Sequence, residues 1–386
     1  MNTLTIRGGL VHVDGEHIGG DVSVDGSRIA AVGPTGGSGA RQVVDATGCS
    51  VLPGFVDVQV NGAVGADLTS HPERIGEVAA YLPQCGVTSF MPTVISSSAS
   101  DIARAIAVIH EWSVGEHAGA RSLGVHIEGP FLNPARAGAH PRQHLRPPSL
   151  SESRDWRSDR GVAMVTLAPE LPKALDVVKQ LVANGVTVCA GHTQATTAEI
   201  ESAVAAGVRG VTHLFNAMGT LSARAPGPAG ATLGDASLIA GLIVDGLHVD
   251  PTMVRLAWRA LGPGRVALVT DAIAALGLPQ GPCSVGDTSV VVDSTGARTA
   301  GGVLAGGVLR FDEAIRNLMA FAGCELADAS IAASATPARL AQRDDIGRLA
   351  AGCIADVVVL DENNVVVVTV IDGRVVFDPQ QRCSGL

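Results

Sequence analysis

The pattern that most narrows what this chain can fold into is an alternation. Between residues 55 and 270, short runs of Val, Ile and Leu recur, separated by amphipathic segments of about a dozen residues. An apolar run without polar alternation suits a strand covered on both faces, and a helix-length connector carries the chain from one parallel strand to the next. The runs predict strands at 55–60, 87–92, 123–128, 162–167, 186–191, 209–213, 239–244 and 265–270. Helices are expected at 73–84, 101–112, 171–183, 196–206, 250–260 and, after the last strand, 308–321. Eight parallel strands close into a (β/α)8 TIM-like barrel of about 250 residues, here expected over 53–349.

Both ends have another texture. Residues 1–52 carry short alternating segments (Leu4–Arg7, Val22–Val24, Ile29–Val32), and residues 350–386 repeat that texture in ADVVVLD, NVVVVTVIDG and RVVF. Neither end alone has enough strands for a stable sheet, so one small β-sandwich domain of antiparallel strands is expected from both termini together. Residues 276–300, rich in Gly, Pro, Asp and Thr, predict an inserted β-hairpin.

Composition narrows the function classes. Although 46% of residues are hydrophobic, no apolar run reaches the roughly 18 residues needed to cross a bilayer. The N-terminus lacks an apolar stretch behind a basic start, so no export signal and a cytoplasmic setting are expected. A net charge of −10 disfavours nucleic acid and anionic membranes, whose phosphates require a basic face. Seven scattered cysteines without a CxxC pair read as buried free thiols.

Four strand-like runs end in a residue able to bind a metal or move a proton: Glu128 (SLGVHIE), His192 (VTVCAGH), His213 (GVTH) and Asp271 (VALVTD). In a parallel barrel every strand finishes on one face, so these side chains converge at the mouth. Together they form a coherent set for a divalent cation such as zinc or iron. Any single one is explained as well by helix capping, Asp271 above all, but four accidents at equivalent positions are a weaker explanation than one site. His126, two residues before Glu128, reads as a core or supporting residue, because three protein ligands and a water complete a catalytic site. His12, His17, His71, His110, His117 and His144 read as solvated. GGVLAGG at 301–307 lacks the Lys and Ser/Thr of a phosphate-binding P-loop and reads as a backbone wall against a substrate.

These residues sit in segments that resemble the amidohydrolase superfamily and, within it, the N-acetylglucosamine-6-phosphate deacetylases. The segments are LPGFVDVQVNG (52–62), GVTSFMPT (86–93), GVHIEGPFLN (124–133), GAH (138–140), TLAPE (166–170), GHTQAT (191–196), THLFNAM (212–218), DGLHVD (245–250), LVTDA (268–272) and GRLAAGCIADVVVLD (347–361). They run in family order over almost the whole chain, and HIEGPFLN with DGLHVD is the specific pair. The resemblance implies a hydrolase that removes the acetyl group from N-acetylglucosamine 6-phosphate, in amino-sugar and cell-wall recycling metabolism. It implies that Glu128, His192 and His213 bind the metal, that Asp271 is the catalytic acid and base, and that His140 hydrogen-bonds the acetamide carbonyl. His248, Asn216 and the backbone of Ala217 would face the phosphate or sugar hydroxyls. Ala139 would also touch substrate, and backbone at Leu304, Ala305 and Gly306 would line the acetyl side. Arg224 matches a phosphate-binding arginine supplied by the neighbouring subunit, which implies a homodimer.

One departure bears on the chemistry. Many superfamily members carry His-x-His after the first strand and hold a second metal there; this chain has Gln59 and Asn61, neither a good transition-metal ligand. One divalent metal per subunit is therefore expected, Zn2+ first, with Fe2+, Co2+ and Mn2+ also suited. Gln59 and Asn61 are expected to hydrogen-bond water in the vacated site or to serve the structure alone. Two other readings stay open: hydrolysis of another N-acetylated amino-sugar phosphate or N-acyl compound, and a barrel scaffold that has lost catalysis. Only Lys173 and Lys179 occur between 52 and 230, so the bridging lysine usual for cyclic-amide and N-acyl amino acid hydrolysis is absent. The intact Glu–His–His–Asp set speaks against a dead scaffold.

Overall fold

The computed structural model describes residues 3–34, 40–115 and 117–385, which include every candidate site residue; the extreme ends of the expected terminal domain, 1–2 and 386, lie outside them. The eight barrel strands are Phe55–Val60, Val87–Ile95, Val125–Glu128, Val162–Leu167, Thr187–Ala190, Gly210–Val211, Ile239–Leu242 and Val266–Leu268. Consecutive strands pair in parallel in that order. The ring closes through a parallel Val60–Ala272 bridge, with the Asn61 and Gly62 amides donating to the Ala272 carbonyl and Thr270 Oγ1 donating to Asp57 Oδ2 at 2.5 Å.

Alternate strand residues divide the core in two, as the period of two requires. Val56, Val58, Met91, Met164, Cys189, Ile239 and Ala267 pack together inside the barrel. Their neighbours Phe55, Phe90, Val165, Val188, Ala240 and Val266 belong to the larger outer cluster under the helices. Each such side chain taken from water contributes about 1.5–3 kcal/mol, which is why the runs tolerate no polar alternation.

The expected helices form as Ile75–Tyr81, Ala99–Ser113, Ala174–Ala183, Thr197–Ala206, Pro251–Leu261 and Phe311–Ala322. Thr196 and Glu199 close a reciprocal capping box, and Asp250 accepts from the Thr252 amide ahead of Pro251 at the first helical position. Three further helices, Gly227–Gly234, Leu326–Ala333 and Ala335–Leu340, carry no polar face by which periodicity could reveal them. No helix of the described residues is long and apolar enough to cross a membrane.

The termini share one nine-stranded sheet with its own core of Leu4, Ile6, Val11, Val24, Val357 and Val370 among others. The expected antiparallel pairing is only partly right. Leu4–Val13 pairs antiparallel with Glu16–Asp25 but parallel with Gln42–Asp45 along its first half and with Ser50–Pro53 along its second. A ten-residue strand is long enough to offer one edge to two short strands in turn, and two hairpin reversals restore its direction before they arrive. Val357–Leu360, Val366–Ile371 and Arg374–Phe377 extend the sheet beyond Ser50–Pro53. The insertion is also larger than a hairpin: Gly281–Val285, Thr288–Asp293 and Gly296–Thr299 form a three-stranded antiparallel meander, the second turn made by Ser294 and Thr295 and followed by Gly296 at φ +105°.

Two surface readings need correction. His12 is buried in the first strand beside Ser330 and Ser334, with both ring nitrogens unpartnered among the described residues, and burial lowers its pKa to about 4. His144 is half-buried and meets Asp287 of the meander at 3.0 Å. Of the seven free cysteines, Cys49, Cys85 and Cys189 are buried and the other four only partly so.

Candidate active site

At the C-terminal ends of the barrel strands a cleft of about 800 Å³ opens, with Glu128, His140, His192, His213 and Asp271 at its base. Glu128 ends the third strand, and His192, His213 and Asp271 follow the fifth, sixth and eighth. The last three adopt left-handed backbone, φ +49°, +34° and +50°, a conformation costing about 1–3 kcal/mol in a non-glycine residue and typical of functional turns.

The atoms meet closely. His213 Nε2 lies 2.9 Å and His192 Nε2 3.3 Å from Glu128 Oε1, and the two imidazole nitrogens are 3.0 Å apart. Glu128, His140 and His192 also offer ligand atoms within 4.8 Å of one another. Hydrogen bonds decide which histidines present a lone pair. His192 Nδ1 sits 2.8 Å from the Arg136 carbonyl, an acceptor only, so Nδ1 carries the proton and Nε2 faces the Glu128 carboxylate as a second acceptor. Turned on each other, the two need either a second proton on the ring or a cation between them, and two imidazoles with a carboxylate are the donor set of a divalent metal centre. His140 is the reverse case. The Ser96 amide donates to its Nδ1 at 3.3 Å and Ser96 Oγ lies 2.9 Å away, which leaves the proton on Nε2, 3.8 Å from Glu128 Oε2. His140 thus turns a donor toward the cleft.

Burial and neighbouring charge set the protonation states. Burial works against the Glu128 charge, but hydrogen bonds from His192 and His213 outweigh it and hold the carboxyl well below its usual range. His213 is raised: burial opposes its charge, and the bond to Glu128 and that group's charge prevail. Burial, reinforced by His192, drives His140 down to about 3, so it is neutral at neutral pH. Burial and then the Glu128 charge push Asp271 up to about 6, close to the working range of an acid–base group.

Gln59 and Asn61 bond the cluster directly: Gln59 Nε2 donates to Glu128 Oε1 at 3.2 Å and Asn61 Nδ2 to Asp271 Oδ1 at 2.8 Å, while Asn61 Oδ1 is buried without a partner among the described residues. His126 stays beneath the cluster, Nδ1 3.1 Å from the Val58 carbonyl and Nε2 2.8 Å from Thr166 Oγ1. Asn216, Ala217, His248, Ala139, Leu304, Ala305 and Gly306 all line the cleft. At Gly306, with φ +73°, an added Cβ would stand 2.5 Å from Ile273 Cγ2 and 2.8 Å from the Asp271 carbonyl oxygen, so the glycine run lets backbone press against Asp271. Arg224 does not join the cleft of its own chain; it is exposed, beside Arg136 and Gln194.

Sequence reading missed the supports. Ser96 orients His140; Glu170 accepts from Asn133 Nδ2 at 2.8 Å, Thr193 Oγ1 at 2.5 Å and the Gln194 amide at 2.8 Å, gripping the turn that carries His192. Asp245 accepts from His248 Nδ1 at 2.6 Å. Glu170 and Asp245 stand inside the TLAPE and DGLHVD segments, which was the available signal; Ser96 had none.

Comparison with known proteins agrees with this geometry. Residues 50–376 match the amidohydrolase family. The chain is 39% identical over 352 residues to an N-acetylglucosamine-6-phosphate deacetylase of Bos taurus, covering 87% of this chain and 86% of that protein. It is 36% identical over 341 residues to an N-acetylgalactosamine-6-phosphate deacetylase of Shewanella, covering 87% and 85%. The structure of a mutant N-acetyl-D-glucosamine-6-phosphate deacetylase from Mycobacterium smegmatis, in complex with N-acetyl-D-glucosamine-6-phosphate, superposes with a TM-score of 0.90 at 32% identity over 97% of this chain and 98% of that one. The chain belongs to the amidohydrolase family and, within it, to the N-acetylglucosamine-6-phosphate deacetylases.

Proposed function

We propose that this protein hydrolyses the acetamide of N-acetylglucosamine 6-phosphate, giving glucosamine 6-phosphate and acetate. The observation that carries the proposal is the convergence of Glu128, His192 and His213 on one point, with an acid–base carboxyl at Asp271 and a neutral donor at His140 in the same cleft. Glu128, His192 and His213 would hold one divalent cation, zinc first among those suited. When bound, the cation supplies Lewis-acid chemistry, polarising the amide carbonyl and bringing a water's pKa toward about 7.

The chain's own groups do the rest. Asp271 takes the proton of the attacking water and returns it to the departing amine, which cannot leave as an anion. Its raised pKa suits both halves of that task. His140 Nε2–H donates to the carbonyl oxygen as charge grows on it, a donor that typically contributes about 10²- to 10³-fold in rate. Backbone at Leu304–Gly306 bounds the acetyl side, and Ala139, Asn216, Ala217 and His248 hold the sugar phosphate. Arg224, exposed and away from its own cleft, is assigned to the neighbouring active site of a homodimer. A cytoplasmic setting belongs to the same proposal, supported by seven unpaired thiols and a phosphorylated substrate.

The test is acetate release from N-acetylglucosamine with and without its 6-phosphate, after chelation and after metal return. Activity should vanish on chelation, return with metal and strongly favour the phosphorylated sugar. Arg224→Ala and His248→Ala should erode that preference. Equal rates on both sugars would overturn the assignment. Similarity to the Shewanella protein makes N-acetylgalactosamine 6-phosphate the necessary third arm, and faster turnover there would reassign the hexosamine.

A further inference from the structure

Asp245 lies in the turn after the seventh barrel strand, and its carboxylate is fully committed. Oδ1 accepts from the Leu247 and His248 amides, each at 2.8 Å, and Oδ2 accepts from His248 Nδ1 at 2.6 Å. The two side chains are only 10% and 6% exposed, so water screens their attraction little. Gly246, at φ +74°, makes the reversal that brings Asp245 under the ring.

An ionised carboxylate accepts hydrogen bonds and cannot donate, so His248 Nδ1 must carry a proton. The nitrogen left for the cleft, which His248 lines, is Nε2. In a neutral ring with Nδ1 protonated, Nε2 is a lone pair and would repel the oxygens of an anion. Only an imidazolium presents Nε2–H while keeping its bond to Asp245. Among the described residues no lysine or arginine of the same chain lines this cleft, in a chain of net charge −10, so within the subunit a phosphorylated ligand finds little positive charge apart from the metal centre and His248, beside the Arg224 assigned above to come from a neighbouring copy. The acids acting on His248 are Asp245 in contact and Asp271 across the cleft.

We propose that Asp245 is a positioning residue that determines specificity: as the counter-ion of an imidazolium at His248, it turns Nε2–H toward the phosphate and makes the cleft select a phosphorylated sugar over a neutral one. The inference rests on the phosphosugar reading above. It assigns the preference to a carboxylate that itself never touches the substrate.

The test variant is Asp245→Asn in the metal-loaded, full-length protein. An amide oxygen at Oδ1 still accepts the two backbone amides, so the turn survives, while the negative charge is gone. The introduced amide nitrogen donates to His248 Nδ1, so the ring becomes neutral while keeping Nε2–H, and KM for N-acetylglucosamine 6-phosphate should rise about tenfold, the difference between a charged and a neutral donor, with a much smaller change in kcat. The ratio of kcat/KM between phosphorylated and unphosphorylated sugar should fall with it. In parallel, 15N spectra at pH 7 should show the His248 ring passing from imidazolium in the native protein to neutral in the variant. A variant that keeps the native preference, or an unchanged His248 spectrum, overturns the inference alone. A native protein that turns over both sugars equally overturns the functional reading, and this inference with it.

Discussion

Replacing Asp271 with Asn should remove turnover and, in the metal-stripped protein, add stability. Asp271 Oδ1 accepts from Asn61 Nδ2 at 2.8 Å, a bond an amide oxygen accepts equally well, so the substitution leaves no new orphan. What it deletes is a buried carboxyl whose pKa is raised from 3.8 to about 6, by burial first and the charge of Glu128 second. A group raised on folding costs nothing below its unfolded pKa, where both states are protonated, and costs its full amount above the folded pKa. Two units at 1.36 kcal/mol each put the relief on the order of 3 kcal/mol at pH 7, fading to nothing near pH 3.5. Turnover should drop about 10²- to 10⁴-fold, the usual worth of a positioned acid–base group. Denaturant titrations of chelated native and variant protein at both pH values, beside kcat and metal content of the reconstituted forms, make the comparison. Returning the metal should shrink the stability gain, since the cation offsets the repulsion. A variant that retains metal yet turns over within tenfold of native, or a stripped variant no more stable at pH 7, would refute the reasoning.

Three further expectations follow from the same geometry. His140→Ala should lower kcat by about 10²- to 10³-fold with metal content unchanged, and Ser96→Ala should cost less because the Ser96 amide still donates to Nδ1; steady-state kinetics with metal analysis decides it, and a full-speed His140→Ala would remove the donor role. Glu170→Ala should weaken metal binding about 10- to 100-fold in a chelator competition by loosening the His192 turn, with Glu170→Gln recovering most of it; equal affinities would reduce Glu170 to a fold residue. Asp57, fully buried at the barrel seam, has its pKa raised by burial from 3.8 to about 7, so native stability should lose a contribution as pH climbs between those values. Asp57→Asn should flatten that part of the stability–pH curve, and superimposable curves would show that burial there is offset.

The barrel was legible because its strands bury both faces, which leaves unbroken apolar runs, and even Gly210–Val211, two residues long, was betrayed by the Thr-His behind it. The convergence of Glu128, His192, His213 and Asp271 was legible for a related reason: strand ends face one way, so residue type at the end of a run is a coordinate. What stayed hidden depends on pairings that sequence distance conceals. Ser96 and His140 are 44 residues apart and meet only because two loops fold over the mouth. Gly227–Gly234 is a helix despite three glycines and a proline among its eight residues, held by buried Pro228, Ala229 and Thr232, and tertiary packing overrides propensity there. His12 looked solvated because it falls between the segments read as strands, yet the strand runs on through it and the helices Leu326–Ala333 and Ala335–Leu340, which show no amphipathic period, cover it.

A hoop is as sound as its joint, and here the joint is slight. The eighth strand has three residues, and the gap to the first is spanned by one bridge, two amides sharing a carbonyl, and the Thr270–Asp57 contact. The residue after Thr270 is Asp271, the proposed proton carrier, and soon after Asp57 come Gln59 and Asn61, which hydrogen-bond Glu128 and Asp271. Fraying at this joint would therefore silence the chemistry while the rest of the ring stood intact, and inactivation on gentle heating would precede any loss of helical signal.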